Sequence, residues 1–347
     1  MPDSAAFGKI SANREDSPPV RPGATTMHVD IATQESVGAH ALLTERLDHI
    51  CNALGRGGSI SLMLPAVVEH ARDAVAQAGD EIQLAALRQA ARAHPVTGYL
   101  YQCPFTAHSA RKPRGYAGDA ELIDYIYCHR DRTRDVRRST AIGRRILCAN
   151  VDRPAPLAVR ARRQIVADVL SQVAMRVRSA RILSVACGHA RELELIDDAL
   201  LNRVATFVGL DQDAKSLEVA AGYRIGDRCV ETQRASIIDL LKDGQLDGFD
   251  LIYSSGLYDY LSDRLCQRLT HNLFNRLRPR GTLLLANFLP GLPDAGYMEL
   301  FMDWSLIDRT RSQIRDFAAA IDPARAADID YFTDTNQQIG FLKIVKR

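Results

Sequence analysis

Residues 181–194, RILSVACGHARELE, contain the pattern of a strand, a tight turn and a helix. The apolar run RILSVAC has the pattern of a buried strand, and a helical pattern follows from about Ala190 to Leu201. Between them lie the mostly small residues 186–190, ACGHA, which would let a ligand approach the backbone beside a helix N-terminus. A strand, a tight turn and a helix in this order form the repeating unit of a parallel sheet.

The same alternation continues toward the C-terminal end of the chain. Four further strand patterns follow, separated by helical patterns: TFVGLD, CVETQRA, FDLIYSS and GTLLLANFL. We therefore predict an α/β fold, a parallel sheet with helices on both faces. After a helical stretch at 296–320, DIDYFTDT and IGFLKIVKR are close enough in sequence to pair as a hairpin at the edge of the sheet.

The first half of the chain is predicted to be helical. Residues 1–36 are rich in Pro, Ser, Gly, Asp and Arg without an apolar period, so we predict a flexible arm there. Residues 37–155 show apolar residues at helical spacing and are predicted to form a helical cap or substrate domain with a lid loop at 106–119. Residues 156–347 are predicted to form the cofactor-binding domain.

The composition is that of an ordinary globular protein, with 46% apolar residues, 25% charged residues and a formal charge of +2. No apolar run approaches about 20 residues, so no stable membrane insertion is expected. The seven cysteines contain no C-x-x-C and the nine histidines no metal-ligand spacing, so no metal is expected. The N-terminal sequence has no apolar signal region, and we expect a cytoplasmic protein. The basic cluster from Arg160 to Arg178 is interpreted as a solvated helix face, so no nucleic-acid partner is expected.

Small and polar residues follow each of the first four predicted strands. Ligands of open α/β sheets bind outside the carboxyl ends of the strands, so these residues are candidates for cofactor binding. After the second strand, the carboxylate of Asp211 could accept hydrogen bonds from both hydroxyls of a ribose. Residues 236–239, after the third strand, could border an adenine ring. The full candidate set is Ser184, Ala186, Cys187, Gly188, Asp211, Gln212, Ser236, Ile238, Asp239, Ser254, Ser255 and Gly256.

Two cofactors fit this order of residues, a nicotinamide dinucleotide and S-adenosylmethionine. The dinucleotide fingerprint is G-x-G-x-x-G, whereas the turn at 186–190 holds a single glycine, Gly188, so we predict S-adenosyl-L-methionine. Residues 181–347 resemble the class I S-adenosylmethionine-dependent methyltransferases in ILSVACGHARELE, GLDQD, FDLIYSS, LRPRGTLLLANF and the C-terminal hairpin. The resemblance implies a Rossmann-like, mostly parallel sheet of seven strands whose last strand is inserted antiparallel.

The chain departs from the class at three positions. Ser184 stands where the usual acid ends the first strand, and Ala186 and Ala190 stand where glycines are usual. A narrower resemblance is carried by KPRGYAGDAELIDYIY (112–127), IYSSGLYDYL (252–261) and MDWSLIDRT (302–310). With the helical first half, these stretches resemble bacterial methyltransferases that make 3-hydroxy fatty acid methyl esters, such as 3-hydroxypalmitate methyl ester quorum-sensing signals. The implied partner is a small-molecule acceptor.

The methyltransferase resemblance assigns roles to the remaining candidates. It implies that Ser254, Ser255 and Gly256 lie beside the methionine end of the cofactor. It also implies that Tyr258, Asp259 and Tyr260 face the acceptor, with the two phenols lining the methyl-transfer channel. The catalytic candidates are Tyr116, Asp119 and Tyr258, and the substrate-binding candidates are Arg114, Tyr260, Trp304 and Arg309. Structural alternatives stay open, because Asp119 can be a helix N-cap and Tyr258 and Trp304 can pack in a core.

The methylated atom stays open at this stage. A carboxylate is already ionised near pH 7 and needs no general base, whereas an amine or hydroxyl must lose a proton. The sequence shows no obvious His–Asp pair, which favours a carboxylate or an amine. The alternatives are an N- or O-methyltransferase of another small metabolite and, from another class, a catalytically inactive methyltransferase-like protein that binds a ligand. The sequence does not indicate an oligomeric state.

Overall fold

The structure is a computed structural model that describes the backbone of residues 29–242 and 246–347 and, within these ranges, the side chains from Gly38 onward. Its helices follow one another in chain order, with these bounds: α1 Val29–Gly55, α2 Ile60–Gln77, α3 Glu81–Ala93, α4 Val96–Leu100, α5 Pro104–Arg111, α6 Ala120–Ile126, α7 Thr133–Arg138, α8 Ala141–Val151, α9 Pro154–Arg176, α10 Asp198–Leu201, α11 Ala214–Ala220, α12 Ile237–Leu240, α13 Asp263–Asn275, α14 Ala295–Met302 and α15 Arg311–Arg315. None of the described helices combines the length and the apolar character that a membrane span requires.

Seven strands form the main sheet: β1 Ala180–Val185, β2 Val204–Asp211, β3 Glu231–Arg234, β4 Phe249–Ser254, β5 Leu277–Phe288, β6 Ala326–Thr333 and β7 Ile339–Lys346. Their spatial order is β3-β2-β1-β4-β5-β7-β6. The first five strands pair in parallel, and β7 lies antiparallel between β5 and β6. This is the arrangement of the class I methyltransferase fold, so the predicted fold class and the predicted C-terminal hairpin are confirmed. A separate two-stranded ribbon pairs Arg224–Ile225 with Arg228–Cys229.

The chain divides into two compact units, each built from discontinuous segments. The sheet unit comprises Ile123–Arg132, Val151–Leu292 and Ser305–Arg347. Its core is apolar side chains from β1, β4 and β5 packed with α13 and the C-terminal hairpin, among them Leu183, Ile252, Leu273, Leu283 and Leu342. These strands are apolar on both faces because helices cover both sides of a parallel sheet.

Among the described residues, the helical unit comprises 29–122, Thr133–Asn150 and Pro293–Trp304. Within it, α14 packs against α2, α3 and α5. A Cβ at Gly296 would lie 2.4 Å from the backbone nitrogen of Arg72, so only glycine allows this approach of α14 to α2. Arg88 pairs with Glu299, and Ser109 donates a hydrogen bond to the carbonyl of Met302 (2.8 Å). A segment far along the chain therefore completes this unit.

Several predicted boundaries differ from the structure. Helix α1 begins at Val29, inside the predicted arm, while residues 1–28 of that arm lie outside the described residues. The predicted lid loop 106–119 starts within α5, and its non-helical part is 112–119. The predicted helical stretch 296–320 breaks after α14, where residues 303–310 have no helical structure. Two predicted domain boundaries also differ, because 123–132 belongs to the sheet unit and 293–304 to the helical unit.

Candidate functional site

In the loop that follows β1, every second residue from 186 to 190 has a left-handed backbone conformation. Ala186, Gly188 and Ala190 all adopt left-handed conformations, with φ of 55°, 52° and 50°. An L-residue in this region costs roughly 1–2 kcal/mol relative to the right-handed form, whereas glycine adopts it freely. The two alanines thus keep the backbone path of a glycine-rich loop. Ala186 and Ala190, which stand where the class usually has glycines, therefore still adopt the backbone conformation that glycine favours.

Asp211, the last residue of β2, holds this loop. Its Oδ2 accepts a hydrogen bond from the backbone N–H of Gly188 (2.8 Å), and its Oδ1 accepts one from the N–H of Asp213 (2.9 Å). Burial raises the pKa of the Asp211 carboxyl above its usual value. Each carboxylate oxygen retains a second lone pair, because a carboxylate offers about four acceptor positions. Asp211 therefore links the ends of the first two strands and keeps acceptor capacity for a ligand.

Cys187 and Ser184 face the protein interior. A Cβ at Gly209 of β2 would lie 2.9 Å from Cys187 Sγ, so this glycine makes room for the buried thiol. Burial raises the pKa of Cys187 well above its usual value, which keeps it a neutral packing group. Ser184 is buried on β1 opposite Tyr253 of β4. Any contact of these two positions with a cofactor would therefore be through the backbone.

The residues after β3 are mostly used to begin a helix. Ser236 caps α12, and Asp239 completes the capping box by accepting from the Ser236 backbone N–H. A hydrogen bond from Lys242 lowers the pKa of the exposed Asp239 carboxyl. Ile238, in contrast, is 67% exposed and offers an apolar surface to a ligand. Gln212, after β2, is half-buried, and its carbonyl accepts a hydrogen bond from Arg234 Nε (3.0 Å).

The fourth strand ends in three small residues, Ser254, Ser255 and Gly256. Ser254 donates to the carbonyl of Val185 (3.1 Å), which joins the ends of β4 and β1. Ser255 and Gly256 are half-buried. A Cβ at Gly256 would lie 3.7 Å from Arg162 Nη2, so the guanidinium of α9 lies directly beside this glycine.

Tyr258 does not lie where the sequence interpretation placed it. It was predicted to line a methyl-transfer channel, but its side chain is fully buried in the core of the sheet unit. Its hydroxyl lies 3.0 Å from the hydroxyl of Thr270 on α13, and its ring centroid is 5.1 Å from that of Phe317. Burial raises its pKa far above the usual value. Tyr258 is therefore a core residue, as the structural alternative allowed. The short 3₁₀ segment Tyr258–Tyr260 after β4 directs its side chain inward.

Arg309 is also a structural residue in this structure. It was predicted to bind substrate, yet it is 1% exposed. Its donors are used by Asp263 (Nε, 2.8 Å), by Asn287 and the carbonyl of Tyr258 (Nη1, 2.8 and 2.9 Å), and by the carbonyl of Leu261 (Nη2). A guanidinium whose three nitrogens are all bonded within the protein stabilises the loop after β4. Tyr260, in the same loop, is half-buried.

Four predicted residues lie in the helical unit or at its edge. Asp119 accepts the backbone N–H of Leu122 (2.8 Å), as a cap of α6 does, and both its oxygens lie 2.9 Å from His108 Nε2. Arg114 pairs with Glu121 (2.6 Å), and Tyr116 is half-buried. Trp304, 6% exposed, follows α14 directly and not a strand. The structure thus assigns a local structural partner to Asp119 and to Arg114. The contact of His108 with Asp119 is a His–Asp pair that the sequence analysis did not detect.

A buried network around Asp124 and Arg191 was not predicted. Asp124 accepts hydrogen bonds from His189 Nδ1 (2.9 Å) and from Arg191 Nε and Nη2 (2.9 and 2.8 Å). Burial alone would raise the pKa of Asp124, but these bonds lower it to about 2. Asp124, His129 and Asp131 are close enough to hold a cation, yet Arg191 already bonds both aspartates. The guanidinium therefore already pairs with both carboxylates of this cluster.

The sequence analysis also missed two ionisable residues near the end of β4, the half-buried Glu192 and the buried Arg162, whereas Asp259, which it expected to face the acceptor, is buried. Asp259 accepts the backbone N–H of Phe288 (2.7 Å), and Glu192 accepts from the Tyr253 hydroxyl. Burial raises the pKa of both carboxyls, that of Asp259 to about 6. Arg162 of α9 is 7% exposed, which contradicts the solvated helix face predicted for Arg160–Arg178. A signal for this burial exists, since the position falls in the helical repeat of buried apolar residues Val159, Val166, Leu170 and Val173.

Comparison with known proteins yields relatives in fold. No family model matches the chain, and no curated protein matches it. A solved structure described as a possible exported protein from Bordetella parapertussis is similar over 93% of this chain and 99% of its own, with 18% identity and a TM-score of 0.53. Magnesium protoporphyrin IX methyltransferase from Synechocystis PCC 6803 is similar over 62% of this chain and 94% of its own, with 13% identity and a TM-score of 0.42. N-methyltransferase NodS from Bradyrhizobium japonicum WM9, in complex with S-adenosyl-L-homocysteine, is similar over 52% of this chain and 85% of its own (13% identity, TM-score 0.37).

Proposed function

We propose that the chain is an S-adenosylmethionine-dependent methyltransferase of a small molecule, and that its acceptor is the carboxylate of a 3-hydroxy fatty acid. The cofactor part is supported by one observation above all. Three left-handed residues after β1 form a turn that Asp211 holds through Gly188, at the carboxyl edge of a sheet with the class I strand order. The acceptor part is supported by the three sequence stretches at 112–127, 252–261 and 302–310.

The residues at this edge suit the cofactor by their chemistry. Asp211 keeps free lone pairs, so it can accept the ribose hydroxyls while it holds the loop. The exposed side chain of Ile238 offers an apolar face to the adenine ring. Gly256 places no side chain at the end of β4, where the methionine portion of the cofactor would lie. When bound, S-adenosylmethionine supplies a methyl group on a positively charged sulfur.

Methyl transfer requires alignment of the acceptor with this methyl group and exclusion of water. A carboxylate acceptor is ionised near pH 7, so the protein needs to orient it and does not need to remove a proton. This requirement agrees with the bonding of two ionisable residues after β4, since Asp259 accepts the backbone N–H of Phe288 and the Tyr258 hydroxyl is bonded to Thr270. Orientation and desolvation are then the protein's main contributions.

Two measurements test the proposal. Isothermal titration calorimetry with S-adenosylhomocysteine tests the cofactor, and we expect saturable binding. Mass spectrometry of lipid extracts incubated with the protein and S-adenosylmethionine tests the acceptor, and we expect methyl esters of 3-hydroxy fatty acids, each heavier than its acid by one methylene. Absence of S-adenosylhomocysteine binding would refute the cofactor assignment and would favour the alternative of a protein that binds another ligand. If S-adenosylhomocysteine binds but the methylated product is a different compound, the fatty acid acceptor is refuted and the cofactor assignment stands.

A further inference from the structure

Arg162, in the middle of α9, is a buried cation without a hydrogen bond to any residue that the structure describes. Its side chain is 8% exposed, and the nearest carboxylate oxygen, Asp259 Oδ2, lies 4.0 Å from Nη1, beyond hydrogen-bond distance. A guanidinium carries five N–H donors, and buried donors are almost always paired. The side chain therefore has donors to spare for a group that the protein itself does not supply.

The neighbouring arginines of the same helix behave differently. Arg160 donates to the carbonyls of Ile126 (3.1 Å) and Val151 (2.5 Å), and Arg163 donates to the carbonyl of Arg191 and to Glu194. These two arginines join α9 to the segments beside it. Arg162 makes no such bond, so its burial is not explained by a structural role of the same kind.

The surroundings of Arg162 favour an anion. Its Nη1 and Nη2 lie 3.8 and 3.7 Å from the position that a Cβ would take at Gly256, at the carboxyl end of β4, where ligands of such sheets bind. The positive charge of Arg162 acts on two nearby carboxyls, those of Asp259 and Glu192, and lowers the pKa of each, against the effect of burial. The nearest carboxylate oxygen, that of Asp259, is still too far for a hydrogen bond, so the N–H donors of Arg162 stay available to a ligand.

We propose that Arg162 binds a ligand carboxylate at the carboxyl end of β4, through the two parallel N–H···O bonds that a guanidinium fork makes to a carboxylate. This geometry is the strongest that an arginine offers, and it fixes the orientation of the ligand as well as its position. The inference rests on the proposed function, in which two ligands carry a carboxylate. These are the methionine portion of the cofactor and the fatty acid acceptor.

Calorimetry with three probes separates the two sources. The probes are S-adenosylhomocysteine, 5′-methylthioadenosine, which lacks the amino-acid portion, and 3-hydroxypalmitate added to protein saturated with 5′-methylthioadenosine. The variants are Arg162→Met, Arg162→Lys and the matched control Arg160→Met on the same helix. If the cofactor carboxylate is bound, Arg162→Met weakens S-adenosylhomocysteine at least tenfold and leaves 5′-methylthioadenosine unchanged. If the acceptor carboxylate is bound, only 3-hydroxypalmitate is weakened. In both cases Arg162→Lys falls between Met and wild type, because lysine keeps the charge without the fork.

Thermal unfolding of the same variants provides an independent readout. Arg162→Met should lower the Tm less than Arg160→Met does, because Arg162 has no hydrogen bond to lose, whereas Arg160 donates to two backbone carbonyls. Unchanged affinities of Arg162→Met for all three probes would overturn the inference. A fall in the Tm of Arg162→Met as large as that of Arg160→Met would also overturn the inference, because it would show that Arg162 has a structural role; this readout does not depend on binding of the probes. Failure of the wild-type chain to bind either adenosine probe would instead count against the proposed function.

Discussion

Replacement of Asp259 by asparagine should stabilise the protein, and more so at high pH. Burial raises the pKa of this carboxyl from 3.8 to about 6, although Arg162, the N–H of Phe288 and Arg309 act in the opposite direction. A group whose pKa is higher in the folded than in the unfolded state opposes folding once the pH exceeds the unfolded value. Its ionisation therefore lowers the stability of the native chain progressively between about pH 4 and pH 7.

The size of this effect follows from the two pKa values. A shift of 3.8 to about 6 corresponds to about 3 kcal/mol at pH well above 6, at about 1.4 kcal/mol per unit. About half of that penalty, roughly 1.5 kcal/mol, develops between pH 5 and pH 8. An asparagine does not titrate, and its side-chain oxygen can still accept the N–H of Phe288, so the backbone contact at the end of β5 is kept.

The assay is urea unfolding of the wild type and of Asp259→Asn at pH 5 and at pH 8. We expect the difference in unfolding free energy between the two proteins to shift by about 1.5 kcal/mol in favour of the variant as the pH rises. Asp168→Asn, at an exposed carboxylate on α9, is the matched control for the loss of one negative charge. A difference for Asp259→Asn that is the same at both pH values would refute the reasoning.

Three further outcomes are expected. Asp211→Ala should weaken S-adenosylhomocysteine binding by about 1.5–3 kcal/mol per bond removed and also lower the Tm, because Gly188 loses its acceptor; calorimetry that shows unchanged affinity would contradict the ribose assignment. Ala186→Gly and Ala190→Gly should each leave the free energy of unfolding in urea unchanged or raise it by up to ~1 kcal/mol, because both alanines are left-handed; a clear loss of stability would contradict the strain argument. Gly296→Ala should destabilise the helical unit by several kcal/mol in urea unfolding, since its Cβ would collide with the α2 backbone, and Gly98→Ala, with open space around it, is the control that should not.

The strand pattern was predictable from the sequence because it is local. Runs such as RILSVAC and GTLLLANFL are apolar along their whole length, which occurs when both faces of a parallel strand are covered. The turn after β1 was predictable for the same reason, since small residues between a strand and a helix are adjacent in sequence. The importance of Asp211 also followed from its place at a strand end, but its bond to Gly188 connects residues 23 positions apart.

The remaining site features depend on contacts between distant segments. Asp259 is held by the backbone of Phe288, and Arg309 by groups 22–51 positions away, so the sequence around either residue does not reveal its burial. Tyr258 follows a strand end as a ligand-contacting residue would, and only the 3₁₀ turn after β4 directs it into the core. The burial of Arg162 could have been predicted, because the residue falls in the apolar repeat of α9. The cluster of basic residues from Arg160 to Arg178 was instead interpreted as a single solvated face.

The place of α14 in the chain has a consequence for how the protein is made. The helices α1–α5 leave the ribosome first, yet the unit to which they belong also contains residues 293–304, which are synthesised after β5. Until then the face of α2 that receives Gly296 stays open, so the nascent chain exposes apolar surface while nearly two hundred further residues are added. The N-terminal helices are thus poor candidates for expression as a separate fragment, and a nascent chain released before residue 304 should be a preferred substrate for chaperones that bind exposed apolar surface.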